Sequence, residues 1–213
     1  NGAIIHYRAN KKSNRKIKKN DIFLCDSGGQ YKYGTTDVTR TVCFSKPTER
    51  IRNIFTSVLK GHIAVVTTDL NKIKRGDLID KKARAPLAKL NLDYGHGTGH
   101  GVGFFSNVHE GPQALSKFNS VELKEGMIVS NEPGYYEEGK FGIRIENLIY
   151  IEKDKNKLKF RNLTMAPIDK DLIKNKLLSS SEKKYLFNYN FEVYKNIYKY
   201  LSKNERNWLI NSI

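Results

Sequence analysis

Twice in this chain an apolar run ends in a carboxylate, a turn signal follows, and a second β-rich run carries another carboxylate. The first apolar run spans residues 22–26 and ends in Asp26. Ser27-Gly28-Gly29 reads as the turn, and the β-branched run from Asp37 to Phe44 reads as the returning strand. The second run spans residues 127–132 and ends in Glu132. Pro133-Gly134 follows, and a strand over 141–152 carries Glu146. Side chains alternate along a strand, so Asp37 shares a face with Thr39 and Thr41 and not with Val38 and Val42. Glu146 likewise shares a face with Arg144 and not with Ile143 and Ile145. The acids point away from the apolar neighbours that build a core. If their own face is also covered, four carboxylates meet in a poor dielectric, which is tenable only with cations to neutralise them.

Between the two hairpins runs a ribbon, residues 95–103, with Gly at every second position around His96 and His100. Gly strips out side chains and lets the backbone approach another segment closely. Four of the five histidines, His6, His96, His100 and His109, lie near turns or Gly-rich segments; His62 falls in an amphipathic helix and reads as a packing or solvated residue. Four carboxylates with one imidazole form a hard, oxygen-rich donor set. It suits two divalent ions of the manganese, cobalt, iron, zinc or magnesium kind. Paired metals about 3.5–4 Å apart can lower the pKa of a bridging water and polarise a carbonyl.

The rest of the chain is helical or loop. Ile51, Ile54, Phe55, Val58, Leu59 and Val65 fall at helical spacing and predict a helix over 48–66, with Pro47 in its first turn. A second helix is expected over 77–90, kinked at Pro86. Ser179 to Glu182 offers a capping box, and Leu186, Tyr189, Val193, Ile197 and Leu201 form one stripe after it. The tyrosines at 185, 189, 194, 198 and 200 read as helix packing or a subunit contact. Cys25 and Cys43 fall on neighbouring strands and read as buried thiols. Two cysteines exclude a disulfide scaffold and a Cys-built zinc site. No stretch approaches 18 consecutive apolar residues, the length of a membrane span.

The formal net charge of +16 invites a nucleic-acid reading. Its distribution weakens that reading. Residues 8–19 carry +7 and residues 153–213 carry +8, whereas residues 20–152, which hold most of the motifs, carry only +1. The excess reads as a solvated, Lys- and Asn-rich surface, so nucleic acid is not expected as the partner.

Seven segments carry a family resemblance: Asn1 to Tyr7, Asp26 to Tyr31, Thr36 to Thr41, the 95–103 ribbon, Asn107 to Pro112, Ser130 to Tyr136 and Gly142 to Asn147. Together they resemble the metal-dependent aminopeptidases with the pita-bread fold. The likeness is nearest to the aminopeptidase P (Xaa-Pro aminopeptidase) group in its cytosolic eukaryotic branch. It is strong to about residue 170 and weaker in the helical tail.

The resemblance implies an α+β fold: a curved antiparallel sheet backed by helices, in two pseudo-symmetric halves, with a C-terminal helical extension. It implies a catalytic domain over 1–167 and the extension over 168–213, with upstream domains in the full-length protein, which agrees with a start that lacks Met. Asp26, Asp37, His100, Glu132 and Glu146 match the five ligands of a dinuclear centre, usually manganese, with Asp37 and Glu146 bridging. His6, His96 and His109 match histidines near the substrate, and Arg144 and Tyr136 match residues supporting the metal site. The implied activity is release of the first residue from peptides with proline second, by a hydroxide bridging the two ions. Glu132 acts there as proton carrier and His109 as oxyanion stabiliser. A homodimer in the cytoplasm is implied as well. Prolidase and methionine aminopeptidase use the same scaffold. So do non-enzymatic relatives that bind proteins or nucleic acid, but those lose ligands that are all present here.

Overall fold

The computed structural model describes residues 5–7 and 10–213. The Asn1–Ile4 part of the N-terminal motif and Arg8 of the basic run therefore lie outside the described residues. In chain order the elements are β1 (Ile22–Tyr31), β2 (Gly34–Cys43), α1 (Glu49–Val66), α2 (Gly76–Ala88), β3 (Gly99–His100) and β4 (Ala114–Leu115). There follow β5 (Ile128–Asn131), β6 (Gly134–Glu137), β7 (Phe141–Arg144), β8 (Asn147–Asp154), β9 (Lys157–Asn162), α3 (Ser180–Ile197) and α4 (Lys203–Ser212).

Both hairpins form, but both turn later than the sequence signals suggest. β1 runs straight through Ser27-Gly28-Gly29, and the chain reverses at Lys32 and Tyr33. In the register Asp26 faces Thr39 and Gly28 faces Asp37. Asp26 and Asp37 are thus diagonal neighbours on one face, and the glycine marks cleared space opposite Asp37, not a turn. The second hairpin turns at residues 138–140 instead of at Pro133-Gly134. Asn131 faces Asn147 in the β5–β8 ladder and Gly134 faces Arg144 in the β6–β7 ladder. The two registers are continuous, so Glu132 falls opposite Glu146 in the gap between them. Pro133 lacks an N–H and cannot continue the ladder, which splits the strand expected over 141–152 into β7 and β8. The ladders are nonetheless linked: Glu146 N–H donates to the Thr39 carbonyl (3.1 Å), Ile145 N–H to Pro133 (3.3 Å), and Glu132 N–H to Thr98 (2.8 Å).

The helices back this antiparallel surface. Thr48 caps α1, its hydroxyl accepting from Ile51 N–H at 3.3 Å, so Pro47 precedes the cap and does not lie in the first turn. Pro86 sits in α2 two residues before its end at Ala88, earlier than the expected end at Leu90. One core cluster joins Ile54, Phe55, Val58 and Leu59 of α1 to Ile143 and Ile145 and to Leu186, Tyr189, Val193 and Leu209 of the C-terminal helices. A second joins Val65 and Val66 to Ile79, Leu115, Val129, Ile149, Ile151 and Phe160. The capping box at Ser179 and Glu182 forms as expected. Of the tail tyrosines, Tyr189 is buried and stacks on Tyr185 with ring centroids 6.3 Å apart, whereas Tyr200 is exposed. Cys25 is exposed, contrary to expectation; only Cys43 is partly covered, and burial pushes its thiol up to about 12. Among the described residues no helix is long and apolar enough to cross a membrane.

Candidate metal centre

The two hairpins and the Gly ribbon converge on one acidic cluster. Asp26 and Asp37 come from β1 and β2, His100 from β3, and Glu132 and Glu146 from the gap in the second hairpin. Donor atoms of Asp26, Asp37 and Glu146 lie within 4.8 Å of one another, as do those of His100, Glu132 and Glu146. A third overlapping group is Asp37, His100 and His109. All five side chains matched to ligands thus meet in one place, and Glu146 belongs to both carboxylate-rich groups.

The ribbon brings His100 there because its glycines permit backbone contact. A Cβ on Gly99 would stand 1.9 Å from the Ser130 carbonyl oxygen, and one on Gly101 would stand 2.0 Å from that of Glu110. The ribbon is clamped from α2. Arg84 donates to Asp80 (2.8 Å), to Asp93 (2.7 Å) and to the carbonyls of Tyr94 (2.8 Å) and His96 (2.6 Å). Asp80 also accepts from the Thr98 hydroxyl at 2.7 Å.

The electrostatics describe a site short of positive charge. Burial, reinforced by the charges of Glu132 and Asp37, pushes Glu146 well above the usual carboxylate range. Burial also raises Asp26, with Arg144 opposing. Burial works against the charge on His100, but the carboxylates of Asp37 and Glu132 prevail and push the imidazole to about 10. Its Nε2 lies 3.2 Å from Glu132 and 3.5 Å from Asp37. Burial likewise opposes ionisation of Glu132, yet hydrogen bonding to His100 keeps its carboxyl below the ordinary value. Arg144, only 1% exposed, reaches Asp26 at 2.6 Å, the Tyr136 hydroxyl at 2.8 Å and the Thr39 hydroxyl at 3.0 Å.

These features fit cations. Glu146 Oε1 is buried and has no hydrogen-bond partner among the described residues, while Oε2 accepts from the Thr39 hydroxyl at 2.7 Å. An orphaned carboxylate oxygen inside an acidic cluster is a costly arrangement that a bound cation relieves. The His100 Nδ1–H donates to the Gly101 carbonyl at 3.0 Å, which leaves Nε2 as the ligating atom facing the carboxylates.

His109, His6 and His96 lie near the same cluster. His109 packs its ring 4.0 Å from that of His100, and His6 lies 6.0 Å from His109. His96 Nδ1–H donates to the Gly97 carbonyl (2.7 Å), so Nε2 accepts from the Tyr136 hydroxyl (3.0 Å). Burial lowers the pKa of His96 and raises that of Tyr136 to about 12, consistent with a neutral imidazole and an intact hydroxyl. Thr39 and Ser130 were not singled out from sequence as site residues. Ser130 Oγ accepts from His100 N–H and donates to Glu132, both at 2.9 Å. Thr39 was visible only as a same-face neighbour of Asp37.

Comparison with known proteins gives a consistent pattern. The model of metallopeptidase family M24 matches residues 1–153, and that of the C-terminal region of peptidase M24 matches residues 156–213. A probable Xaa-Pro aminopeptidase P of Laccaria bicolor is 47% identical over 222 residues, covering 98% of this chain and 35% of its own length. Its counterpart in Coprinopsis cinerea is 47% identical, covering 98% and 36%. The X-prolyl aminopeptidase of Caenorhabditis elegans, described as a cytosolic enzyme with a di-nuclear active site, superposes with a TM-score of 0.92 at 37% identity. That match covers 99% of this chain and 36% of the other. A prolidase from Thermococcus sibiricus superposes at 0.67 with 35% identity, covering 81% and 44%. The chain spans about a third of the length of the curated relatives it matches.

Proposed function

The chain belongs to metallopeptidase family M24, and from that premise we propose that it forms the catalytic part of an Xaa-Pro aminopeptidase, releasing the N-terminal residue from peptides with proline second. Its pita-bread fold, a curved antiparallel sheet backed by helices, is shared with that family. The observation that carries the proposal is the convergence of Asp26, Asp37, His100, Glu132 and Glu146, with Glu146 Oε1 left without a hydrogen-bond partner among the described residues. We assign these five side chains as ligands of two divalent ions, with manganese favoured among the hard ions such donors suit. When bound, such a pair of ions activates a water and polarises the scissile carbonyl.

The chain's own groups supply the rest. Glu132 can take the proton of the attacking water and pass it to the proline nitrogen, which must be protonated to leave. His109, beside His100, stabilises the developing oxyanion. His96, aimed by Tyr136 and the Gly97 carbonyl, orients the peptide together with His6. Arg144 holds Asp26 and Tyr136 in place. A free α-amine is attracted to the acidic cluster, which restricts cleavage to the first bond.

The other shared-scaffold activities are those of methionine aminopeptidase and of prolidase, which cuts Xaa-Pro dipeptides. The aminopeptidase reading is favoured because the worm enzyme matches 99% of the chain, including its helical tail, whereas the Thermococcus prolidase matches 81%. The activity belongs to residues 1–167, with 168–213 as a helical extension; a homodimer in the cytosol completes the proposal. The test is an assay of the manganese-loaded full-length protein on Arg-Pro-Pro, Gly-Pro and a Met-Ala peptide. Release of arginine from the first, with little turnover of the others, is expected. Preferential cleavage of Gly-Pro or of the Met-Ala peptide would overturn the substrate assignment.

A further inference from the structure

Arg40 plays no part in the chemistry proposed above, yet it is bonded more fully than any group inside the acidic cluster. It follows Thr39 on β2, so its side chain leaves the sheet on the face opposite Asp37 and Thr39. Its guanidinium donates to six acceptors, all uncharged. Nη1 bonds the carbonyls of Thr39 (2.8 Å) and Glu146 (2.6 Å). Nη2 divides its two N–H groups among Asn147 Oδ1 (2.7 Å), the Ala166 carbonyl (2.8 Å) and the Tyr189 hydroxyl (3.0 Å). Nε bonds the Pro167 carbonyl at 2.9 Å.

These partners fall into two sets. Thr39, Glu146 and Asn147 belong to the strands that present the acids. Ala166 and Pro167 close the catalytic region, and Tyr189 belongs to α3 of the helical extension. Glu146 stands where the hairpin ladder is broken, so its backbone lacks the usual cross-strand pair. Its N–H goes to Thr39 and its carbonyl to Arg40. Fixing the peptide groups on both sides of its Cα fixes where the side chain starts. Tyr189 is buried on α3, and its hydroxyl donates to the Ala166 carbonyl at 2.7 Å while accepting from Arg40. A second path runs from Tyr185 of α3 through Asn162 to Asn147, the neighbour of Glu146 (3.0 and 2.9 Å).

We infer that Arg40 is a positioning residue for the carboxylate of Glu146, and that the helical extension helps hold Arg40 in place through Tyr189, beside the carbonyls of Ala166 and Pro167 that immediately precede it. The helical extension then serves the metal centre directly and is more than a cover for the core. The inference rests on the reading of Glu146 as a metal ligand.

Manganese binding to the full-length protein, measured by competition with a chelating dye, tests it, with kcat and KM determined at saturating manganese. Arg40→Lys keeps the charge and loses the planar fork, so a change reports geometry and not Coulomb attraction. It is expected to weaken manganese binding by about tenfold or more and to lower kcat with KM unchanged, as for one charge-assisted hydrogen bond lost. Tyr189→Phe removes one hydroxyl from a packed aromatic and keeps the test alive if Arg40→Lys does not fold. It should weaken manganese binding by about fivefold. Tyr200→Phe, on an exposed ring, serves as control and should change nothing. If the variants only melt at lower temperature, while binding manganese and turning over like the parent, the inference is overturned. If the parent itself binds fewer than two manganese ions, the reading of the centre falls and takes this inference with it.

Discussion

Glu132 and Glu146 face each other across a broken ladder, yet their surroundings drive them apart. Glu132 has the His100 imidazole and the Ser130 hydroxyl as partners and is held ionised. Glu146 is 1% exposed, receives one hydroxyl from Thr39 and is pushed upward by the neighbouring acids. Both are assigned as ligands, and Glu132 is the one also assigned to carry a proton. Replacing Glu132 by Gln keeps its size and its contact with Ser130 but removes the base. With manganese bound, kcat should fall by at least about 10²-fold, the lower end for acid–base catalysis. Steady-state kinetics at saturating metal check this; a variant retaining most of its kcat with metal bound would assign the proton transfer elsewhere. At this scale the acids and the ribbon histidines were legible, because an Asp or Glu closing an apolar strand is conspicuous. Thr39 and Ser130 were not, since hydroxyl residues are ordinary in strands and only the folded register aims Oγ1 of Thr39 at Glu146 and Oγ of Ser130 at Glu132.

At the scale of elements, the ribbon depends on α2 for its shape. Nine residues with Gly at alternate positions have little side-chain packing of their own, and their backbone entropy must be overcome from outside. Arg84 and Asp80 of α2 do this by bonding the carbonyls of Tyr94 and His96 and both the hydroxyl and N–H of Thr98. The Thr98 carbonyl in turn receives Glu132 N–H, so the clamp reaches the second hairpin. Asp80 is 1% exposed, whereas the Asp93 side chain, the other carboxylate on Arg84, is 52% exposed. Asp80→Ala should therefore destabilise the protein by about 3 kcal/mol or more, as expected when one partner of a buried pair is removed. Asp93→Ala should cost no more than about 1 kcal/mol. Urea unfolding of both variants checks the contrast, and equal losses would mean that the clamp does not act through Asp80. None of this was readable beforehand. Asp80 and Arg84 look like an ordinary surface pair four residues apart on a helix, and the turn signals at Gly28 and Pro133 marked cleared space and a ladder break instead of reversals. Those local signals report a backbone constraint without saying which one, and tertiary pairing decides.

For the molecule as a whole, α1 and α2 both contribute to the two core clusters, and His62 lies on α1 at full burial. The sequence leaves His62 as a packing or a solvated residue, and its full burial decides for packing. Its ring Nδ1–H donates to the Asn131 carbonyl at 3.1 Å, while the Asn131 side-chain amide donates back to the His62 carbonyl at 2.9 Å. Helix α1 is thereby tied to the residue just before Glu132. Nε2 is buried without a partner among the described residues. Burial, aided by the positive charge of Arg40, lowers its pKa from 6.5 to about 3. The unfolded chain takes up this proton near pH 6.5, and the folded chain refuses it until about pH 3. The unfolded state thus binds more protons between those limits. Stability contributed by the neutral ring is complete above pH 6.5 and is lost as pH falls through that window, by about 1.4 kcal/mol for each pH unit. His62→Asn retains a donor near the Nδ1 position but cannot titrate. It should be less stable than the parent at pH 7, because ring volume is lost from the core. Below pH 6.5 its stability should fall more slowly, so that the two curves converge as the medium becomes more acidic. Urea midpoints from pH 7 to pH 4 measure both slopes, and parallel curves would show that His62 is not the group that makes the folded molecule acid-sensitive.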